Sequence, residues 1–88
     1  MTIGFQVSGY GPTRLLLLHG WLSDRCVFDT VLPWFDEAQF TIARMDYRGY
    51  GLSRHLKGNH TIDEIAGDAL QLAKKLGWEK FHVLGHSM

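Results

Sequence analysis

The last four residues of the sequence, GHSM at positions 85–88, have a spacing that can present a nucleophile. Gly85 stands two residues before Ser87 and ends the apolar, strand-like segment FHVLG. A strained strand-to-helix turn needs such a glycine, because it leaves room where a side chain would clash while the serine hydroxyl projects from the top of a sheet. Gly-x-Ser also arises by chance, and the second glycine of the full pattern would fall one residue beyond Met88. Alone, the motif is therefore weak.

A histidine and a glycine follow the apolar run Leu15–Leu18. A continuous apolar run bounded by turn signals predicts a strand buried on both faces. His19 is then either a catalytic base or a structural residue whose ring holds the loop by hydrogen bonds, and we favour the structural role. His86 directly precedes Ser87, and neighbouring side chains on a sharp turn point apart, so we do not expect His86 to serve as the base.

A third polar segment, DYRGYGLS at 46–53, follows the strand-like residues 40–46. Gly49 and Gly51 permit positive backbone torsions, and Ser53 can close the turn. We interpret this segment as a structural loop near the site, in preference to a catalytic role for Asp46 or Arg48.

The elements that must position these segments alternate in type. The order is strand, strand, helix, strand, helix, strand. The first helix is predicted from an apolar face of Phe28, Val31, Leu32 and Phe35, with Ser23 or Asp24 as its cap. Pro33 lies inside that pattern, so this helix is expected to be kinked or to end early.

The second helix is the clearest element. Thr61 and Glu64 have the spacing of a capping box, and Gly77 is the expected stop. Its predicted apolar stripe consists of Ile62, Ile65, Ala66, Ala69, Ala73 and Leu76.

Strands that alternate with helices predict an α/β fold with a mostly parallel sheet and flanking helices, here about four strands and two helices. Sites in such sheets lie beyond the carboxyl ends of the strands. The segments HGWLSD, DYRGYGLS and GHSM all leave those ends. This coincidence is the main argument for an active site.

Composition excludes several other classes of function. The 88 residues predict one domain at most, and nine basic residues balance nine acidic ones, which does not indicate nucleic acid or an anionic membrane as a partner. No spacing of His, Cys, Asp or Glu suggests a metal site. Cys26 is the only cysteine, and no secretory signal is evident, so we expect a cytoplasmic protein. We expect Cys26 to be a small buried hydrophobe in preference to a reactive thiol.

Together, HGW, DYRGYGLS and GHSM resemble the α/β-hydrolase family over essentially the whole chain. The resemblance implies a Ser–Asp/Glu–His triad in that chain order. By residue match, Ser87 takes the nucleophile position, and the backbone N–H groups of Trp21 and Met88 take the two oxyanion-hole positions, supported by His19, Gly20, Gly85 and His86. A serine at position 87 points away from the dehalogenase and epoxide-hydrolase branches and toward a small ester or related acyl substrate.

The family places its acid and histidine after the nucleophile, where this sequence has no residue to match them. Residues 1–88 are therefore expected to be the amino-terminal part of a single α/β-hydrolase domain, with the carboxyl-terminal part absent. Such a fragment is expected to be inactive alone. The resemblance implies no cofactor and leaves the oligomeric state open. The alternative to an enzyme is a non-catalytic protein of the same fold that binds a ligand or a partner.

Overall fold

The computed structural model describes residues 3–20 and 23–86, which form a four-stranded sheet with a helix on one face. The strands are β1 (Phe5–Gly9), β2 (Thr13–Leu18), β3 (Phe40–Met45) and β4 (His82–Gly85), and the α-helix is α1 (Ile62–Lys75). The strand order is β1-β3-β2-β4. β1 runs antiparallel to β3, whereas β2 is parallel to both β3 and β4. The predicted α/β class with a mostly parallel sheet is confirmed.

The sheet carries a hydrophobic cluster on each face. α1 covers one face, where its side chains pack on Leu16, Ala43 and Met45. On the other face Leu17 packs with Ile42 and Phe28. Leu16 and Leu17 are successive residues with exposures of 1% and 0%, so β2 is buried on both faces, as its apolar run predicted.

The helix predicted around residues 28–35 does not form as an α-helix. Two 3-10 helices stand in its place, Arg25–Phe28 and Leu32–Trp34. Pro33 lies in the first turn of the 3-10 helix Leu32–Trp34. A continuous α-helix is interrupted there because proline has no N–H to donate and its ring would clash with the preceding turn. The apolar face is also split: Phe28 is buried, but Val31 is 41% exposed.

Helix α1 begins and ends where its sequence signals placed it. The Thr61 hydroxyl accepts from the Glu64 N–H at 3.1 Å. The predicted capping box also requires the Glu64 carboxylate to accept from the Thr61 N–H, and this part of the prediction is wrong. The carboxylate instead accepts from the backbone N–H groups of Asn59 and His60, at 2.8 and 3.3 Å. Gly77 has φ +74° and follows the last turn, the left-handed position that favours glycine.

The buried stripe of α1 is rotated relative to the predicted one. Ile62 and Ala66 are exposed, whereas Leu72 and Asp68 are buried with Ile65, Ala69 and Ala73. An acidic residue replaces an apolar one on the core side because Asp68 has a buried partner, described below.

β4 is an edge strand of the described sheet, and its four residues are all exposed, including Val83 at 56% and Leu84 at 46%. Within residues 3–20 and 23–86, no helix has the length and apolar character needed to cross a bilayer.

Candidate active site at the carboxyl edge of the sheet

The carboxyl ends of three neighbouring strands lie level with one another. Leu18 of β2 pairs with Met45 of β3 on one side and with Gly85 of β4 on the other. Beyond the last pair, the His86 N–H still donates to the Leu18 carbonyl at 3.0 Å. The segments that follow the three strands therefore leave the sheet at one edge, as their order in the sequence predicted.

Of the predicted site residues, His19, Gly20, Gly85 and His86 are described. Ser87, Trp21 and Met88 lie outside the described residues. The structure thus fixes the backbone on the amino side of Ser87, through His86, and on the amino side of Trp21, through Gly20.

His19 is fully buried, and both of its ring nitrogens have backbone partners. Nδ1 lies 2.7 Å from the Gly20 carbonyl oxygen, and Nε2 accepts from the Tyr47 N–H at 3.2 Å. A carbonyl can only accept and an N–H can only donate, so the ring is the neutral tautomer with its proton on Nδ1. The ring also lies against Tyr47, with centroids 3.9 Å apart. A general base needs an accessible lone pair, so this geometry fits a structural role for His19.

Asp46 is the polar centre of this edge, with 0% exposure. Its Oδ1 accepts from the Arg25 N–H at 2.7 Å, and its Oδ2 accepts from the Arg25 guanidinium at 2.9 Å and from the Leu52 N–H at 2.8 Å. All three donors are internal, and the carboxylate has no contact with solvent. Asp46 therefore joins the segment after β2 to the segment after β3, which matches the structural interpretation of DYRGYGLS.

Ser53 closes the loop after β3, as its place in the sequence suggested. Its buried hydroxyl donates to the Asp46 carbonyl at 2.8 Å and accepts from the Gly4 N–H at 2.7 Å. Gly51 has φ +47°, and a Cβ there would lie 2.4 Å from Oδ2 of Asp46. Glycine is required at Gly51 for two reasons, its backbone conformation and the close approach of the carboxylate.

Arg48 anchors the same loop to α1. Its guanidinium donates to both carboxylate oxygens of Asp68, at 2.9 and 2.8 Å, in the bidentate geometry that Arg favours. The hydrogen bond to Asp68 raises the pKa of Arg48, and Glu64, 3.9 Å away, adds to the shift. This pairing accounts for the buried position of Asp68 in α1 and gives Arg48 a structural partner.

Tyr47 packs beneath His19 and is 2% exposed. Burial raises the pKa of its phenol, so Tyr47 stays neutral at physiological pH.

Gly85 lies at the end of the exposed strand β4, and a Cβ built there has no heavy atom within 4 Å in the described part of the chain. The expected clash concerns the turn at Ser87, which lies outside the described residues, so the need for a glycine at position 85 stays a prediction. His86 is exposed, and its ring lies edge-on to Phe28 with centroids 6.2 Å apart.

Cys26 is exposed, so the expectation that it is buried is wrong. Local desolvation, followed by the nearby carboxylate of Asp24, raises the pKa of its thiol, which disfavours the reactive thiolate. Among the residues that the structure describes, no group of three His, Cys, Asp or Glu side chains is placed to hold a metal ion.

Sequence reasoning missed Arg25. It belongs to no motif and lies 21 residues from Asp46, its partner. Only the alignment of β2 with β3 brings the two residues together, so no local pattern could have revealed the pair.

Several known proteins are similar to this chain. A serine hydrolase-like protein of Dictyostelium discoideum is 33% identical over 98% of this chain and 26% of its own length. A fluoroacetate dehalogenase of Burkholderia sp. is 36% identical, covering 98% of this chain and 29% of its own. A 2-heptyl-3-hydroxy-4(1H)-quinolone dioxygenase of Mycobacteroides abscessus is 35% identical, covering 97% and 32%. The chain thus spans about a quarter to a third of these relatives.

Solved structures give the same fold. A protein named AqDC, whose structure concerns recognition and ring cleavage of the Pseudomonas quinolone signal, superposes with a TM-score of 0.84 at 34% identity, covering 96% of this chain and 32% of its own. A marine microorganism esterase superposes with a TM-score of 0.86 at 20% identity over 97% of this chain and 32% of its own, which supports the fold alone. The model of a family described as alpha/beta hydrolase fold matches residues 13–88. With this match and the parallel sheet described above, the chain belongs to the α/β-hydrolase family.

Proposed function

We propose that residues 1–88 are the amino-terminal part of a single α/β-hydrolase domain, and that the complete protein hydrolyses a carboxylic ester or a related acyl bond of a small molecule. The observation that carries the proposal is the pairing of β2 with β4. It brings the backbone before Ser87 next to the backbone before Trp21, through the His86–Leu18 hydrogen bond of 3.0 Å. A nucleophile and an oxyanion donor must be neighbours in this way.

In the proposed reaction the Ser87 hydroxyl oxygen attacks the acyl carbon and passes its proton to a histidine. The N–H groups of Trp21 and Met88 stabilise the negative charge on the former carbonyl oxygen. The carbon–oxygen bond to the leaving alcohol then breaks, and the alcohol takes the proton from the histidine. Water attacks the acyl-enzyme, again with the histidine as base, and releases the acid and the free serine.

The histidine of this reaction is not His19, since both of its nitrogens are occupied and its ring is buried. The resemblance places the histidine and its acidic partner after Ser87, hence in the part of the complete protein that follows this segment. The names of several relatives support a serine nucleophile: the proteins similar to this chain from D. discoideum, Homo sapiens and Danio rerio are all called serine hydrolase-like.

The test is the steady-state hydrolysis of a small panel of p-nitrophenyl esters by the complete protein. Ser87→Ala is expected to lower kcat by roughly 10⁴- to 10⁶-fold, because it deletes the covalent route. Ser8→Ala is the matched control, since Ser8 lies in β1 and pairs with Ile42, away from the carboxyl edge of the parallel strands. Retained activity in a folded Ser87→Ala protein would refute the proposal. If the wild-type protein neither turns over an ester nor reacts with a fluorophosphonate, the alternative of a non-catalytic binding protein is favoured.

The similarity to the M. abscessus dioxygenase and to AqDC, whose structure concerns ring cleavage, favours a second candidate, cleavage of a small aromatic ring compound with O₂ as co-substrate. An oxygen electrode separates the two. Consumption of O₂ with a hydroxyquinolone, unaffected by Ser87→Ala, supports the dioxygenase. Ester hydrolysis that needs Ser87 and consumes no O₂ supports the hydrolase.

A further inference from the structure

A cavity of about 410 Å³ lies at the amino-terminal end of β3, the opposite end of this strand from the candidate active site. Phe40, the first residue of β3, and Gly9, the last residue of the antiparallel β1, both line it. Small-molecule sites in proteins have volumes of roughly 300–1,000 Å³, so the cavity is large enough for a small ligand. Asp46 and its partner Arg25 do not line it, so it is separate from the network described above.

The inner surface of the cavity is apolar and already formed. Its floor is Ile42, which is 3% exposed and belongs to the cluster around Leu17. Its walls are half-buried side chains that pack on the same cluster, Leu32, Phe35 and Phe40. The rings of Phe35 and Phe40 meet edge to face with centroids 5.2 Å apart, an arrangement that aromatic pairs favour. This surface can therefore bury an apolar group with little rearrangement.

The rim of the cavity is acidic. Asp36 and Glu37 line it, and among the described residues that do so there is no lysine, arginine or histidine. Backbone hydrogen bonds hold the turn that carries both residues. The Asp36 carbonyl accepts from the N–H groups of Gln39 and Phe40, each at 3.0 Å, and the Glu37 carbonyl accepts from the Tyr10 N–H at 2.9 Å. The acidic rim is thus part of a fixed turn next to the apolar walls.

Neither rim carboxylate has a cation as a partner in the part of the chain that the structure describes. Asp36 accepts one hydrogen bond, from the Ala38 N–H at 2.8 Å, and the Glu37 side chain makes neither a hydrogen bond nor an ion pair there. Both residues are exposed. Their remaining lone pairs are therefore available to a positively charged ligand.

The position of the cavity in the sheet keeps it apart from the remainder of the proposed complete domain. In the strand order β1-β3-β2-β4, that remainder continues from β4, whereas the cavity is lined by β1 and β3. On the turn beside the cavity, Trp34 is 87% exposed, so no other part of the described chain covers its side chain.

We propose that this cavity binds a small apolar cation, a primary ammonium ion attached to an aromatic or aliphatic body. The body packs against Phe35 and Phe40, and its removal from water provides most of the affinity. The ammonium group lies at the rim beside Asp36 and Glu37. Charge complementarity then selects the cation over a neutral or anionic molecule with the same body.

The test compares three ligands that share one apolar body, and it measures their binding to the complete protein by isothermal titration calorimetry near neutral pH. Phenethylamine carries the ammonium group, phenethyl alcohol is neutral and hydrocinnamate carries a carboxylate. The amine is expected to bind about 3- to 5-fold more tightly than the alcohol, the range for an exposed ion pair, and hydrocinnamate should bind most weakly. Added salt should reduce the advantage of the amine over the alcohol.

Two variants locate the binding. Glu37→Gln removes one rim charge and should weaken the amine about 2- to 5-fold while the affinity for the alcohol stays at the wild-type value. Ser8 lines the cavity and pairs with Ile42, so the larger side chain of Ser8→Leu should occupy part of the cavity and weaken the amine and the alcohol alike. Glu79→Gln is the matched control, because Glu79 is exposed and does not line this cavity.

The proposal is overturned if the amine shows no saturable binding, if the amine and the alcohol bind equally well, or if Glu37→Gln binds the amine like the wild type. Should Ser8→Leu not fold, Asp36→Asn decides with Glu37→Gln, since both residues are exposed and an asparagine can keep the bond from Ala38. Weaker binding of the amine alone in these two variants supports the proposal, and wild-type binding in both contradicts it. Only binding is measured, so the result does not depend on whether the complete protein hydrolyses esters.

Discussion

Replacement of Asp46 by asparagine tests the claim that this carboxylate joins the segments after β2 and β3. The substitution preserves size and shape. It removes the negative charge and one acceptor, since a carboxylate accepts at both oxygens and an amide accepts at only one. The two oxygens of Asp46 face the Arg25 N–H on one side, and the Leu52 N–H with the Arg25 guanidinium on the other.

The magnitude follows from the two orientations of the amide. With its oxygen in the place of Oδ2, two hydrogen bonds survive and the NH₂ group faces the Arg25 N–H. The reverse orientation loses two bonds, so the first is preferred. A buried N–H left without an acceptor costs about 1–3 kcal/mol. The two surviving bonds lose their ionised acceptor, which weakens them by about 1 kcal/mol in total or more. Asp46→Asn is therefore expected to lower the free energy of unfolding by about 2–4 kcal/mol.

The assay is equilibrium urea unfolding followed by tryptophan fluorescence, with Asp36→Asn as the matched control. The exposed Asp36 accepts a single bond from the Ala38 N–H at 2.8 Å, which an asparagine can keep, so the control should change stability by less than about 0.5 kcal/mol. A loss below about 0.5 kcal/mol for Asp46→Asn as well would refute the reasoning, because it would mean that the three bonds to this carboxylate are not needed.

Three further predictions concern the loop after β3, the start of α1 and the oxyanion donor. Gly51→Ala should lower the free energy of unfolding in urea by about 2 kcal/mol or more, because the backbone at Gly51 is left-handed and the new Cβ would lie 2.4 Å from a buried carboxylate oxygen. Gly67 lies at an exposed position in α1 where a Cβ has no atom within 4 Å, so Gly67→Ala should stabilise the protein by about 0.5–1 kcal/mol. The hydrogen bond from the backbone N–H of Asn59 lowers the pKa of Glu64 below its usual 4.5. The stabilising contribution of the Glu64 carboxylate is therefore complete above pH 4.5 and is lost as the pH falls through the lower pKa of the folded state. In urea unfolding from about pH 6 to about pH 3, the free energy of unfolding should decline less steeply for Glu64→Gln than for the wild type, and parallel curves would contradict this. Trp21→Pro removes the proposed N–H donor and should lower kcat about 100- to 1000-fold. Trp21→Ala keeps that N–H and should change mainly KM. A folded Trp21→Pro enzyme with wild-type kcat would exclude Trp21 as a donor.

Local signals in the sequence predicted the elements whose stability is local. The Thr61 cap and Gly77 marked both ends of α1, and the apolar run before His19 marked a strand buried on both faces. The level carboxyl ends of the parallel strands followed from the alternation of strands and helices, so the shared edge could also be predicted.

The features that could not be predicted involve side chains whose partners are distant in the sequence. Apolar spacing alone could not show that Asp68 would be buried, because its partner Arg48 lies 20 residues away on another element. The same holds for the ion pair of Arg25 with Asp46. The predicted first helix failed for a different reason: Pro33 lies in the middle of its apolar pattern, and the backbone there forms short 3-10 turns.

The acyl-enzyme on Ser87 can be observed in a rapid-quench experiment on the complete protein with p-nitrophenyl acetate, followed by mass spectrometry of the peptide that contains Ser87. We expect an acetyl group on Ser87 that appears within the first turnover and is lost with a rate constant no smaller than kcat. A protein that hydrolyses the ester while the Ser87 peptide stays unmodified throughout the reaction would contradict it.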